Sequence, residues 1–537
     1  MRKNVKSQDK RRDNRTGLFL SETLEPRALF SALPAVSIVA DVPTASGITG
    51  ASGQFKVSRT GSTAKPLKVY YRAASGTTIN PTEYVKLTGE VTIHSGQLSS
   101  YIDVLPVRGL TETSDPVLVL QLATNKAYKA STHKASVSVT ENHSSGNTAA
   151  QRYFLPITVS AAGYARTDQP VDDNINLTTA LASAGGSGAI EDSSLKVEEV
   201  DSNGNVINSN VPFQFDKSSG YDATNSATGD LVLEMAGTTA ANQTRYFRAY
   251  FDTQGTFTAP TFTSQVSVSD TTDTIGDDSW KIQTNEATWI MEKNSGAFSS
   301  VLDKSGNDWV SYNNTAGPDG TYRGLANMGV TNGTHPGQFT GTTTVVSSGP
   351  LKTVIDYTSS DNNEVVQWSF YANYAQCTIL QSNNGPYWVV YEGTPGGTFN
   401  SNDTVVQSDG TSTPLSGSFN DANGIGNGTN DGQWAYFDSV SEGRFFYMAQ
   451  NTQDSNPDVY WPYNDGSGSG MTVLGFGRDI GTGAAPEGFG GATEHLTAVD
   501  TFTMGLAEND QFSAASATIN GQYRSLTVNT GSGTASS

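Results

Sequence analysis

A few turns in the second half of the chain gather the side chains most able to do chemistry. Tyr322-Arg323-Gly324-Leu325-Ala326-Asn327 precedes Thr334-His335-Pro336-Gly337. Tyr391-Glu392 follows, then Gly475-Phe476-Gly477-Arg478-Asp479, and finally Glu494-His495. Abstracting a proton needs a base within ~2.6–3.2 Å of it, with cationic or amide groups to hold the charge that develops. Arg323, Asn327 and Arg478 are candidates for the charge-holding role. His335 or Tyr391 is the candidate base, and Glu392 can orient His335 or a hydroxyl. A tyrosinate base needs positive charge beside it, because free Tyr titrates near ~10. The same residues also fit His335 as acid and Glu392 as base. Hydrolysis of an acetal instead needs two carboxylates, roughly 5–5.5 or 6.5–9.5 Å apart. Glu392 with Asp303, Asp479 or Glu494 would serve, and no spacing selects one pair. A single His is more often structural than catalytic, but His335 lies in a Gly/Pro-flanked turn, where a rigid scaffold places sites.

The element that must position this chemistry runs through Gly385-Pro386-Tyr387-Trp388-Val389-Val390-Tyr391-Glu392-Gly393-Thr394-Pro395-Gly396-Gly397. Five aromatic or β-branched residues in succession suit a strand, and Gly-Thr-Pro-Gly-Gly turns the backbone sharply. If the strand stays regular through Glu392, Tyr391 and Glu392 point to opposite faces, and only one of them serves a given cleft. All seven tryptophans lie between Trp280 and Trp461. Flat rings suit a large core or stacking on the apolar faces of sugars. Trp289 and Trp368 sit in alternating strands and read as core. Trp388, Trp461 and Tyr463, with His495, are the candidate substrate-binding residues.

At 537 residues the chain exceeds one core, and about three domains are expected. Only 16% of residues are charged, 36% are apolar and Gly numbers 55, which favours many short strands and turns over helices. The fold class expected is all-β: two immunoglobulin-like β-sandwiches followed by one large, many-stranded sandwich. A net charge of −20 argues against nucleic acid as partner. Cys377 is the single cysteine and reads as a small buried hydrophobe. No run of apolar residues is long enough to predict a transmembrane span.

Residues 1–34 form a separate basic segment, with Arg2, Lys3, Lys6, Lys10, Arg11, Arg12 and Arg15 preceding Leu24-Glu25-Pro26-Arg27-Ala28-Leu29-Phe30. This resembles the LEPR-type N-terminal segment of exported bacterial surface proteins, which implies an extracellular or cell-surface location. Residues 35–143 carry about seven alternating strands, the pattern of a β-sandwich. The stretch resembles a Calx-beta domain in Phe55-Lys56-Val57-Ser58-Arg59-Thr60-Gly61, Glu83-Tyr84, Gly89 to Ile93 with Gly96-Gln97, and Leu118 to Leu122. The resemblance implies calcium at one end of the sandwich. Ca²⁺ takes roughly 6–8 oxygen ligands. Here the first loop lacks an acid, and Arg108-Gly109 follows Pro106-Val107. Glu112 and Asp115 remain as metal candidates, with Glu83 and Asp103 elsewhere. A structural spacer is therefore preferred to a calcium site, and no other cofactor is implied.

Residues 150–270 read as a second sandwich. Within it Lys196-Val197-Glu198-Glu199-Val200 runs into a hairpin turn at Asp201-Ser202-Asn203-Gly204-Asn205, and Tyr164, Arg166 and Asp168 read as a surface loop. Residues 275–510 form the large Trp-rich domain. Its aromatic strands, Asp303-Lys304-Ser305-Gly306-Asn307-Asp308-Trp309, the Arg-Gly…Asn block, the His and the Glu strand resemble, in their order, the galactose mutarotase-like supersandwich of sugar-active enzymes, including polysaccharide lyases. That resemblance implies a polysaccharide or other glycan as partner and lyase-type chemistry, with a hydrolase or mutarotase as runner-up. The non-catalytic alternatives are a carbohydrate-binding adhesin and a structural surface protein. Residues 511–537 are expected to give one hairpin-like piece around Asn520-Gly521 and then a frayed tail.

Overall fold

The computed structural model describes residues 33–536 except 47–50, 82, 107–115, 141–150, 329–332, 383–385, 401, 427–431, 464–469, 481–488, 493, 495–498 and 509–510. The basic N-terminal segment and the Leu24-Glu25-Pro26-Arg27 motif lie outside these residues. The fold is all-β, as its short alternating runs require. No helix among the described residues is long and apolar enough to cross a membrane.

The first sandwich faces a four-stranded sheet against a five-stranded one. Its strands keep period two: along Gly53–Arg59 every second residue is buried, which sends Phe55 and Val57 into the core with Val36, Ile38, Leu118 and Val137. In the middle sandwich Lys196–Val200 turns back into Val206–Asn208, and Asp201 Oδ1 accepts from the N–H groups of Asn203 and Asn205, as the hairpin reading expects.

Two nine-stranded sheets make up the last unit. One runs Ser267–Thr272, Asp278–Gln283, Ala287–Glu292, Phe298–Asp303, Gly324–Asn327, Val389–Gly393, Met471–Phe476, Asp458–Tyr463, Phe419–Asp421. The other runs Gly341–Ser348, Thr353–Ser359, Val365–Phe370, Ala375–Gln381, Asp500–Glu508, Arg444–Gln450, Gln433–Ser439, Thr404–Gln407, Ser412–Pro414. Aromatic rings fill the space between them: Phe298 meets Trp368 edge-on at 4.6 Å, and Trp289 meets Phe370 at 6.0 Å. Trp289, Trp368 and Cys377 are buried there, as expected.

The chain end departs from the sequence reading. Phe512–Tyr523 is an α-helix, and Thr527–Thr530 pairs antiparallel with Tyr153–Ser160. Asn520-Gly521 suggests a hairpin only in isolation. The Ala-rich run before it favours helix, and Ala515 and Ile519, one helical turn apart, bury against Trp434, Tyr436 and Tyr447. Gly521 is needed because a Cβ there would come within 2.7 Å of Ala165 O. The tail therefore completes a sheet of the middle sandwich.

Arg166 is also not on a surface loop. It is 1% exposed, and its guanidinium donates to the carbonyls of Ala161, Gly521, Arg524 and Ser525. Burial pushes it down to about 10. Gln214 and Asp172 then tie this sandwich to the last unit. Gln214 bonds Leu351 and Lys352, and Asp172 accepts from Lys352 Nζ at 2.5 Å and the Tyr371 hydroxyl at 2.8 Å.

Replacing Arg166 by Met should remove a donor from the carbonyls of Ala161, Gly521, Arg524 and Ser525 at a cost of about 3 kcal/mol. Denaturant unfolding measures this, and a variant within about 0.5 kcal/mol of wild type would refute the role.

Candidate functional site

The strand Val389–Gly393 settles which way its polar residues point. Tyr391 faces inward, 4.9 Å from the ring of Phe437 and 5.1 Å from that of Phe446, and its hydroxyl donates to Trp309 O. Glu392, one residue on, faces out. The outer face also carries Val390, Val459, Trp461, Met471 and Val473, with Trp388 and Tyr463 against them. Regular alternation through Glu392 thus sends the phenol to the core and the carboxylate to a pocket.

That pocket has a volume of about 370 Å³ and is lined by Tyr312, Thr321, Tyr322, Asn327, His335, Pro336, Gly337, Gln338, Glu392, Trp461, Tyr463, Met471, Val473 and Arg478. Six residues singled out from sequence converge here: Asn327, His335, Glu392, Trp461, Tyr463 and Arg478. Asn327 Nδ2 donates to Glu392 Oε2 at 2.8 Å. His335 Nε2 stands 3.9 Å from that oxygen, and Arg478 Nη1 stands 3.8 Å from Oε1. The three charged or ionisable side chains are at most 10% exposed. Burial pushes Glu392 above the usual carboxylate range, opposed by His335, Arg478 and Asn327. Burial likewise lowers Arg478, and Glu392 opposes that shift.

Arg478 also lies over two indoles, 4.6 Å from the ring centre of Trp388 and 4.9 Å from that of Trp461. These π-faces stabilise a cation that burial would otherwise disfavour. Trp388 therefore backs the guanidinium and is not a pocket wall. His335 turns both ring nitrogens toward carbonyls, Nδ1 at 2.7 Å from Pro336 O and Nε2 at 3.1 Å from Tyr322 O. Acceptors on both sides place the ring to donate. Tyr322 and Tyr463 meet edge-on at 5.7 Å at the rim.

Two expected catalytic residues fall elsewhere. Tyr391 is buried between the sheets, and burial pushes its phenol well above its ordinary range, so it is neither near the pocket nor a ready base. Arg323 donates to Ser311 O and Gly470 O, each at 3.1 Å, while Asp319 accepts from Gly470 N at 2.9 Å. It braces the backbone beside the pocket. His495, and the metal candidates Glu112 and Asp115, lie outside the described residues. Glu83 accepts from Asn80 N and Asp103 from Gln54, so these two acids serve local structure. Tyr312 is a pocket residue the sequence did not mark. Its edge meets His335 at 6.2 Å, and burial, with Glu292 nearby, pushes it up to about 12.

A second pocket carboxylate is not found among the described residues. Asp303 accepts from Trp309 Nε1 and Asn307 in its own turn. Glu494 is 2% exposed and accepts from Asn456 at 2.9 Å. The side chain of Asp479 lies outside the described residues.

Burial, reinforced by Asp454, pushes Glu494 from 4.5 up to about 9. A carboxyl raised on folding contributes stability that is full below its unfolded value and is lost as pH rises through the folded one. Unfolding free energy should therefore fall between about pH 5 and 9, and less steeply in Glu494→Gln. Equal slopes for both proteins in denaturant titrations across that window would contradict the assignment.

No family model matches the chain, and no curated protein matches it. Among solved structures the chain is similar to the apo form of the Calx CBD1 domain, at 16% identity over 21% of this chain and 99% of that one, with a TM-score of 0.19. It is also similar to CBD12 from CALX1.2, at 12% identity over 48% of this chain and 81% of that one, TM-score 0.19. A third is the calcium binding domain CBD12 of CALX1.1, at 13% identity, 47% and 80% coverage and TM-score 0.18. These three are Calx domains, at scores too low to carry an argument about site or activity.

Proposed function

We propose that the last unit of this protein is a saccharide-active acid–base site, carried on an exported or cell-surface protein whose first sandwich serves as a spacer. One observation carries the reading: a buried Glu392 shares a pocket with His335, Asn327 and Arg478 beneath aromatic walls. A volume of about 370 Å³ suits a sugar residue or two and falls at the low end of ~300–1,000 Å³ for small-molecule sites. Trp461, Tyr463 and Tyr322 offer flat faces to a sugar ring.

In this reading Glu392 takes the proton from the anomeric hydroxyl while His335 gives one to the ring oxygen, so that the bond between the anomeric carbon and the ring oxygen breaks and the open-chain aldehyde recloses on either face. The acceptors around both imidazole nitrogens suit that donor role. Atoms 3.9 Å apart can both reach a third atom at ~2.8 Å, so one substrate oxygen can contact both side chains. Asn327 holds Glu392 in place, and Arg478 offsets its charge. Among the described residues the pocket holds one carboxylate, which supports hydrolysis less, since that reaction uses a pair. Lyase-type elimination on a uronic acid remains the second reading, supported by the upward shift of Glu392. In it a protonated Glu392 leaves Arg478 and Asn327 to hold the sugar carboxylate, His335 gives up its contact with Tyr322 O to take the proton from the carbon beside that carboxylate, and Glu392 gives its proton to the bridging oxygen that leaves from the next carbon.

Purified protein should be screened against reducing sugars by polarimetry, and against acidic and neutral polysaccharides for unsaturated products near ~235 nm and for new reducing ends. Glu392→Gln should lower kcat by ~10²–10⁴-fold, and Trp461→Ala should act mainly on KM. Tyr391→Phe should leave kcat within about twofold while costing ~1 kcal/mol of stability, because Trp309 O loses one of its two donors and keeps Thr394 N. Saturable glycan binding that depends on Trp461, without turnover of any substrate, would replace the enzyme by a binding module. Turnover unaffected by Glu392→Gln would remove the site.

A further inference from the structure

We infer that Asp273, Asp277 and Glu292 form a binding site for a hard divalent cation of the calcium class, behind the wall of the pocket that carries His335. One carboxylate oxygen from each comes within 4.8 Å of the others. Proximity of acids alone is not a site. The decisive feature is that two of these groups keep a solvent-excluded oxygen with nothing to bond.

Asp273 spends one oxygen on its own turn: Oδ1 accepts from the N–H groups of Ile275, Gly276 and Asp277 at 3.0, 2.9 and 2.9 Å. Its Oδ2 is buried without a hydrogen-bond partner. Glu292 is 0% exposed. Its Oε2 accepts from Gly337 N and Ser295 Oγ, both at 2.8 Å, and Oε1 is buried without a partner. Among the described residues none of the three acids forms an ion pair. The adjacent Lys293 instead pairs with Asp270 and lies 4.0 Å over the ring of Trp280. Burying a carboxylate oxygen that nothing satisfies is costly, and here two acids of one cluster each do so.

A cation removes that cost. An all-oxygen donor set without His or Cys suits Ca²⁺ or Mg²⁺ and not zinc. Coordination numbers of roughly 6–8 leave room for backbone oxygens and water beside three carboxylates, which favours the larger ion.

The placement gives the cation a structural consequence. Glu292 ends the strand Ala287–Glu292 and holds the N–H of Gly337, two residues beyond His335. Gly337 has φ +76, and a Cβ there would strike the Tyr312 hydroxyl, so the turn is fixed from both sides. Fixing Glu292 thus fixes the turn that presents His335. The site does not depend on what the pocket binds.

The test is calorimetric titration of Ca²⁺, with Mg²⁺ as comparison, into chelator-treated full-length protein and its Asp277→Asn and Glu292→Gln variants. Wild type should bind one more equivalent of Ca²⁺ than either variant, or bind it at least about tenfold more tightly. Ca²⁺ should also raise Tm in wild type more than in the variants. Any calcium held by the first sandwich is common to all three proteins and cancels. Should Glu292→Gln not fold, Asp277→Asn, in a half-buried turn, decides the question alone. Identical isotherms and Tm shifts in wild type and Asp277→Asn would overturn the proposal, whatever the pocket proves to do.

Discussion

A carboxylate held almost out of water on the outer face of a sheet constrains everything around it. Glu392 has 8% of its side chain exposed. An ionised carboxylate in that position is destabilising by several kcal/mol unless charges and donors compensate it. Arg478 provides the charge and Asn327 the hydrogen bond, and the imidazole of His335 stands 3.9 Å away. Arg478 then meets the same difficulty, and the rings of Trp388 and Trp461 answer it. These residues form one electrostatic unit. Removing any one leaves the others buried and uncompensated, so stability and activity must be measured together in any variant of the set.

The second constraint is topological. The chain builds most of the middle sandwich, then both nine-stranded sheets, and returns to lay Thr527–Thr530 beside Tyr153–Ser160. Arg166 locks the return by bonding three carbonyls of the final segment. Strands far apart in sequence must find each other for this sheet to close, a pairing with a large loop-closure cost. The same return puts the helix Phe512–Tyr523 over Trp434 and Tyr447, on the outer face of the second large sheet. A cut between sandwiches would therefore leave an open edge on one and an uncovered aromatic face on the other.

Much of this was legible in residue order, and the misses have physical causes. Period-two patterns gave the strands, because one buried face forces alternation. Alternation also posed the choice between Tyr391 and Glu392 correctly, but only packing shows which side holds the second sheet. Arg323 has the charge and the neighbours of a site residue, yet its donors go to Ser311 O and Gly470 O. Residue type reports what a side chain can do and not what already occupies it. The same holds for Arg166, since an Arg without an acidic partner looks like surface until its carbonyl acceptors are known. Tyr312 carries no local signal at all: its place depends on the turn at Gly337, which itself depends on Glu292. The Asn520-Gly521 dipeptide favours a hairpin, and tertiary burial of Ala515 and Ile519 overrode it.

The location of the pocket follows from how the large core is filled. Trp289, Phe298, Trp368, Phe370, Tyr391, Phe437 and Phe446 occupy the space between the two sheets. The pocket lies instead on an outer face, where a sheet supplies a floor but no walls. The walls here are irregular segments, and each is held by a buried polar group: the Gly337 turn by Glu292, and the backbone at Gly470 by Arg323 and Asp319. Loops alone are mobile, whereas loops tied to buried charges have discrete positions. The precision of the His335–Glu392 pair is therefore set less by the strands beneath it than by charged side chains that never touch the pocket's contents.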